Sequence, residues 1–260
     1  MENTITTAQA LARALSEAGV KRIFGLPGGG SSLDVIEAAA QLGIDFVLTK
    51  SENAAVMMAG AMAETTGIPG VAIMTKGPGV ANGANGVAYA SLDRAPVLVI
   101  TDGFTPKQLS YITHQVFDQK DMLSPVVKGF SRLEGADPVA EIDAMLALAT
   151  SAPFGPVHIE LTGETAKRLV PVSAIAPTLS DELVFSQQDL AAVQKLIGRA
   201  QKPVLIVGLE ARLHARKVRQ LAKLLACPVL PTYKAKGVVS DEDSQVVGVF
   251  TGGLQEADCI

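Results

Sequence analysis

The chain has 260 residues, of which 48% are hydrophobic and 18% are charged, and its formal net charge is −4. This length suggests one or two domains. A mildly acidic chain without a Lys/Arg run argues against nucleic acid as a partner, and no apolar run reaches the ~18 residues of a transmembrane helix, which argues against a membrane. Cys227 and Cys259 lack metal-ligand spacing, so we expect reduced thiols, no protein-held transition metal and a cytoplasmic location.

Strands and helices alternate through the first part of the chain. The predicted strands are 22–26, 45–49, 71–75, 96–101, 125–133 and 156–161. The predicted helices are 7–18, 31–40, 52–66 and 138–150, and a further helix follows the turn 77–82 and ends near residue 91. Strand 96–101 is almost purely Val, Leu and Ile, which is typical of a central parallel strand buried on both faces. Residues 1–165 are therefore predicted to form an α/β domain with a doubly wound parallel sheet. The long irregular segment 102–123 between strands is predicted to be functional.

The remaining residues predict a linker and the beginning of a second α/β domain. Residues 166–186 carry several prolines and no periodicity, which favours a linker. Residues 187–260 alternate helix and strand again, with helices at 189–200 and 212–226 and strands at 203–207 and 228–230. This is few residues for a doubly wound domain, so we expect the second domain to be truncated.

Two features point to one crevice. Glu52 follows strand 45–49, and a glycine-rich turn, 77–82, follows the next strand. Ligands of open parallel α/β sheets bind at the carboxyl ends of the strands. Each feature alone has a plainer explanation: the helix macrodipole favours a Glu in a first turn, and glycines make tight strand–helix connections. The turn matches neither G-x-G-x-x-G nor a phosphate-binding Walker motif.

Four motifs occur in order along the chain. They are Phe24-Gly25-Leu26-Pro27-Gly28-Gly29, Ser51-Glu52-Asn53-Ala54-Ala55, Gly77-Pro78-Gly79-Val80-Ala81-Asn82 and Asp93-Arg94-Ala95-Pro96-Val97. Their order and spacing resemble the acetolactate synthase-like branch of the thiamine-diphosphate enzymes, as does Gln115 upstream of Pro125-Val126-Val127-Lys128. Gln201-Lys202-Pro203-Val204-Leu205 followed by Gly208 resembles the start of that family's central domain. The resemblance covers nearly the whole chain and implies that residues 1–165 are a pyrimidine-binding domain.

The resemblance implies roles for individual residues. Glu52 would activate N1′ of the coenzyme pyrimidine, and Gln115 and His114 would face the substrate. For His114 a polar loop residue without a role is the open alternative. Lys76 departs from the pattern, because a small polar residue is expected before the glycine turn. The remaining cofactor-binding residues would be Pro27, Gly28, Gly29, Gly77, Gly79 and Asn82.

The chemistry of thiamine diphosphate explains why a carboxyl group is needed at Glu52. The coenzyme reacts through C2 of its thiazolium ring, whose proton is removed by the coenzyme's own 4′-amino group. That amino group becomes basic only when N1′ is protonated or strongly hydrogen-bonded. A carboxyl in an apolar setting holds its proton more tightly and can share it with N1′. The apolar helix wall that follows Glu52 predicts such a setting.

The resemblance also implies parts that this sequence does not carry. The family holds Mg²⁺ and the diphosphate on a third domain with a Gly-Asp-Gly start, and each site lies between two subunits. We therefore expect thiamine diphosphate and Mg²⁺ as cofactors, a homodimer or homotetramer, and a 260-residue chain that is incomplete and inactive alone.

Acetolactate synthase-like chemistry predicts a 2-oxo acid substrate. Pyruvate would lose CO₂, and its two-carbon unit would add to a second carbonyl compound. Two alternatives remain within the family, an aldehyde lyase and an oxalyl-coenzyme A decarboxylase. From another class, a non-catalytic α/β binding or regulatory subunit remains an alternative.

Overall fold

A computed structural model describes residues 4–172, 186–249 and 251–260. The chain divides into two compact units, Met1–Asp181 and Glu182–Ile260. Most of the linker predicted at 166–186 lies outside the described residues.

The first unit alternates strands and helices nearly as the sequence predicts. Its strands are β1 (Thr4–Thr6), β2 (Arg22–Leu26), β3 (Asp45–Leu48), β4 (Gly70–Met74), β5 (Val97–Asp102), β6 (Phe130–Ser131), β7 (Val157–Leu161) and β8 (Leu169–Pro171). Its α-helices are α1 (Thr7–Glu17), α2 (Ser31–Gln41), α3 (Glu52–Thr66), α4 (Pro78–Leu92), α5 (Pro106–Leu109), α6 (Gln119–Leu123), α7 (Pro138–Thr150) and α8 (Gly163–Lys167), and a 3-10 turn covers Ser124–Val126.

Six strands form one parallel sheet in the order β3-β2-β4-β5-β7-β6. From β2 the chain steps outward to β3 and then crosses back to β4 on the other side of β2. The strand order therefore reverses between β2 and β4, and ligands of doubly wound sheets bind outside the carboxyl ends at such a reversal. The predicted fold class, an α/β unit with a doubly wound parallel sheet, is confirmed.

Helices cover both faces of this sheet. Successive side chains of a strand point to opposite faces, and β4 sends Val71 and Ile73 to one core and Ala72 and Met74 to the other. The first core also contains residues of α1, α2 and α7, and the second contains residues of α3 and α4. Helices α2 and α3 lie on opposite faces of the sheet. Their N-termini therefore lie on either side of the carboxyl ends of β2 and β4.

The structure differs from the sequence prediction in four segments. Helix α4 begins at Pro78, inside the turn predicted at 77–82, because proline is well suited to the first position of a helix. The strand expected at 125–133 is reduced to the edge strand β6, because Pro125 offers no N–H to a ladder and falls in the 3-10 turn. The segment 102–123 contains the short helices α5 and α6. In the predicted linker, α8 ends at Lys167 and β8 pairs antiparallel with β1, so residues up to Pro171 belong to the first unit's hydrogen-bonded structure.

The second unit is small. It contains helices α9 (Gln187–Ile197) and α10 (Ala215–Leu225), strands β9 (Leu205–Val207) and β10 (Val229–Pro231), and 3-10 turns at Leu209–His214, Tyr233–Ala235 and Thr251–Glu256. The two strands are parallel and carry a core that includes Val207, Ala222 and Val229. The terminal residues join β9 through one parallel bridge, in which Val204 N donates to the Cys259 carbonyl at 2.9 Å.

Candidate functional site

Glu52 is the first residue of α3, directly beyond the carboxyl end of β3. Ser51 caps the helix, with its Oγ accepting from the Ala54 N–H at 3.2 Å. The cap fixes the first turn, and α3 packs Ala55 and Val56 into the core without exposure. The Glu52 side chain is half-buried at the edge of this apolar helix. Glu52 therefore lies beside apolar helix residues, and its role toward N1′ stays a prediction.

The glycine turn brings α4 close to both β4 and Glu52. Gly77 has φ +62°, which L side chains rarely adopt, and Pro78 begins the helix at a position where its missing N–H costs nothing. A Cβ on Gly79 would lie 2.8 Å from Thr75 Cγ2 and 3.4 Å from Glu52 Oε1. The bare backbone at Gly79 therefore allows the close approach of the helix to the Glu52 carboxylate.

Asn82 and Glu52 meet directly. The Asn82 side-chain amide donates a hydrogen bond from Nδ2 to Glu52 Oε2. The other carboxylate oxygen, Oε1, lies on the side of Gly79. Glu52 and Asn82, which follow two consecutive strands of the chain, thus form one hydrogen-bonded pair. The second oxygen of the Glu52 carboxylate lies beside the Gly79 backbone.

The turn after β2 approaches the same edge. A Cβ on Gly28 would collide with the Asp102 carboxylate and the Thr75 hydroxyl, so Gly28 permits close packing of this turn on β4 and β5. A Cβ on Gly29 would meet no atom within 4 Å, which leaves open space beside its backbone. Pro27 is half-buried in the same turn.

Gln115 and His114 have different surroundings. The backbone of Gln115 has φ +60° and packs closely on Gly77. A Cβ added to Gly77 would collide with the Gln115 carbonyl. Segment 103–118 is thereby held against the glycine turn. His114 is exposed. A substrate-facing role for both residues stays a prediction.

Sequence reasoning missed a buried polar cluster at the ends of β5 and β7. Asp102 is 1% exposed and accepts hydrogen bonds from Ser31 Oγ at 2.8 Å, Ser32 N at 2.8 Å and Ser32 Oγ at 3.2 Å. The sequence contained a signal for this cluster, because Asp102 comes at the end of an apolar strand, as Glu52 does.

Gln119 connects this cluster to the glycine turn. Its Oε1 accepts from Gly77 N at 3.3 Å, and its Nε2 donates to the Asp102 carbonyl at 3.1 Å and to Glu160 Oε2 at 3.0 Å. Glu160 also pairs with Arg132 Nε at 3.0 Å. Burial raises the pKa of Glu160, and the Arg132 charge opposes that rise. The network fixes the backbone of the Gly77 turn.

Lys76 lies inside this edge and is not fully solvated. Its side chain is 14% exposed, and Nζ lies 4.0 Å from Asp102 Oδ2 and 4.9 Å from the centre of the Phe104 ring. A cation therefore stands where the family pattern predicts a small polar residue.

Comparison with known proteins decides the family. The family model described as thiamine pyrophosphate enzyme, N-terminal TPP binding domain, matches residues 5–122, and the model of the thiamine pyrophosphate enzyme central domain matches residues 190–259. The chain belongs to the thiamine pyrophosphate enzyme family. Glu52, the glycine turn and Asn82 all lie in the part matched as the N-terminal TPP-binding domain.

Relatives of this thiamine pyrophosphate enzyme chain are acetolactate synthases and a decarboxylase. The acetolactate synthase isozyme 3 large subunit of Escherichia coli is 30% identical over 95% of this chain and 44% of its own length. The probable acetolactate synthase large subunit of Methanocaldococcus jannaschii is 28% identical over 93% and 42%. A probable 2-ketoarginine decarboxylase of Pseudomonas aeruginosa is 30% identical over 92% and 44%. The chain spans less than half the length of these relatives.

Metal and membrane features were sought in the residues that the structure describes. Within them, no three or more His, Cys, Asp or Glu side chains are grouped to hold a metal ion. No helix in the same residues combines the length and the hydropathy needed to cross a bilayer.

Proposed function

We propose that this chain supplies the pyrimidine-binding half of a thiamine-diphosphate-dependent 2-oxo acid decarboxylase and carboligase of the acetolactate synthase type. The observation that carries the proposal is the Glu52 carboxylate, which Asn82 orients through Oε2 while Oε1 borders the bare backbone of Gly79. The names of the relatives support the substrate class, since they include acetolactate synthases and a 2-ketoarginine decarboxylase.

Bound thiamine diphosphate supplies a nucleophilic carbon and takes up the electron pair that remains when a 2-oxo acid loses CO₂. Glu52 would share a proton with N1′ of the pyrimidine, and Asn82 would keep the carboxylate aimed at that nitrogen. Gly29 would leave room for the ring, because a Cβ there would meet no atom within 4 Å, and Gly79 would let α4 carry Asn82 close to Glu52.

We further propose that the diphosphate and Mg²⁺ are held by polypeptide other than the described residues of this chain. The chain spans 42% to 44% of the three relatives named above. Two further proposals concern its surroundings. Subunits pair as a homodimer or homotetramer around the site, and the enzyme works in the reducing cytoplasm, where Cys227 and Cys259 stay free thiols.

Glu52→Gln tests the proposal. The amide keeps the shape of the side chain but cannot share a proton with N1′, so CO₂ release from a 2-oxo acid should fall by ~10²–10⁴-fold. The assay uses the holoenzyme with thiamine diphosphate and Mg²⁺, and thermal melting reports whether the variant folds. The matched control is Glu37→Gln, an exposed glutamate on α2. Near-normal turnover in a folded Glu52→Gln enzyme would contradict the assignment.

A further inference from the structure

The ammonium group of Lys76 has N–H donors that make no hydrogen bond within the described residues. An ammonium group has three N–H donors, yet the nearest Asp102 oxygen is 4.0 Å away, beyond hydrogen-bond length. In the described parts of the chain, no oxygen accepts a hydrogen bond from Lys76 Nζ. The Phe104 ring, 4.9 Å away, stabilises the charge without using a donor.

Asp102 does not depend on Lys76 for its hydrogen bonds. Ser32 N at 2.8 Å and Ser32 Oγ at 3.2 Å already donate to its carboxylate, and the Ser31 hydroxyl shares its one proton between Asp102 Oδ1 at 2.8 Å and the Leu161 carbonyl at 2.6 Å. The carboxylate therefore holds the ammonium electrostatically in a site where water has little access. The donors of Lys76 remain available to an anionic ligand, which would be bound by charge-assisted hydrogen bonds.

Lys76 also lies close to the proposed catalytic edge. Its neighbour in sequence, Thr75, packs against two glycines. One is Gly79, which also lies close to Glu52, and the other is Gly28, which also lies close to Asp102. The Glu52 pair and the Lys76–Asp102 pair thus flank the same residue at the carboxyl end of β4. Lys76 directly follows the residue that both pairs flank, which places it at the same end of β4 as Glu52.

We infer that Lys76 is a specificity-determining residue that binds the carboxylate of the acceptor 2-oxo acid. The inference rests on the proposed function. It favours the acceptor over the donor, because the donor's carboxylate departs as CO₂. A cation paired with that departing group would stabilise the ground state more than the transition state and would slow the reaction. The acceptor keeps its carboxylate throughout.

The test compares two acceptors that differ only in the carboxylate. With one donor 2-oxo acid, kcat/KM is measured for 2-oxobutyrate and for propanal in the holoenzyme and in its Lys76→Met variant. We expect the preference for 2-oxobutyrate over propanal to fall by about 10- to 100-fold, the size of one hydrogen bond to a charged group. Lys76→Arg should restore part of the preference, and Lys50→Met, at an exposed lysine after β3, is the matched control.

A second measurement does not depend on turnover. Without cofactor, 2-oxobutyrate should slow acylation of Lys76 but not of Lys50, as followed by mass spectrometry, and neutral propanamide should protect neither. If Lys76→Met does not fold, Lys76→Gln takes its place in the kinetic comparison, and the acylation experiment uses the unmodified chain.

Three outcomes are decisive. Equal losses with 2-oxobutyrate and propanal, or a matching fall in CO₂ release from the donor alone, would overturn the acceptor role. Absence of CO₂ release by the unmodified holoenzyme would instead contradict the proposed function, and the acylation experiment would still test the Lys76 site.

Discussion

At the scale of single residues, His158 is the most strongly perturbed ionisable group of the first unit. Its side chain is fully buried within β7, with Nε2 hydrogen-bonded to Thr101 Oγ1 at 2.8 Å. Burial, followed by the charge of Arg132, lowers the pKa of His158 from 6.5 to about 3. The imidazole is therefore neutral in the folded protein over most of the acidic range.

This burial makes stability depend on pH in a defined direction. The folded state does not protonate His158 until the pH approaches 3, while the unfolded state binds that proton below 6.5. Protons thus favour unfolding, and the contribution present above pH 6.5 is lost progressively as the pH falls toward 3. We expect a loss of about 1.4 kcal/mol per pH unit from this residue, measured by denaturant unfolding between pH 6.5 and 4.

His158→Gln isolates the contribution. The variant keeps a polar partner for Thr101 but has no proton to gain in this range, so its unfolding free energy should change less with pH than that of the unmodified chain. His114→Gln, at an exposed histidine, is the matched control variant. Parallel slopes for the His158 variant and the unmodified chain would show that the buried ring does not control acid stability.

The same scale shows what the sequence can predict about the site. The contact between Glu52 and Asn82 follows from local rules, because Glu52 begins α3, Asn82 lies near the start of α4, and parallel strands end at one edge. The burial of Asp102, at the end of β5, depends on hydrogen bonds from the hydroxyls of Ser31 and Ser32. These two residues begin α2, which follows β2, a strand far from β5 in the sequence. The sequence shows the strand that Asp102 ends but not these distant donors.

At the scale of elements, strong periodicity predicted bounds well. Helix α7 was predicted at 138–150 and is found at Pro138–Thr150, since Pro138 and an Asp137 cap fix its start. The predicted strand 125–133 is too long, because valines such as Val126 and Val127 are typical of strands. In the structure both are half-buried and pack against the second core without pairing in the sheet. Tertiary packing decided that segment.

Gly79→Ala tests the packing of α4 on β4. Alanine is a better helix former by about 1 kcal/mol, but its Cβ would lie 2.8 Å from Thr75 Cγ2 and 3.4 Å from Glu52 Oε1. Overpacking typically costs ~1–3 kcal/mol, so we expect a net loss of stability in denaturant unfolding. Movement of α4 would also disturb the Asn82–Glu52 bond, and turnover should fall at least ~10-fold.

Gly163→Ala is the control for this substitution. Gly163 is also helical, in α8, and a Cβ there would meet no atom within 4 Å. It should be neutral or stabilising. Equal effects of the two alanines on stability would mean that the close approach of α4 is not required.

At the scale of the whole molecule, the outer surface of α3 and α4 exposes apolar side chains to solvent. The inner stripe of α3, including Ala55 and Ala59, is fully buried in its own core. On the outside, Met58 is 43% exposed and Tyr89 on α4 is 37% exposed. We call Met58, Ala61 and Tyr89 the outer α3–α4 surface. The helix is thus only partly covered by its own chain, and a second copy of this chain is the proposed cover.

Met58→Asp tests that association. The 260-residue chain should form dimers in sedimentation velocity at high concentration, and a buried charge at the outer α3–α4 surface should weaken the dimer by at least ~10-fold, the effect of one interface residue worth more than ~1 kcal/mol. Leu42→Asp is the matched control, because Leu42 is 42% exposed but follows α2 on the opposite face of the sheet. A chain that stays monomeric at high concentration, or one whose dimer responds equally to both aspartates, would place the contact elsewhere or rule it out.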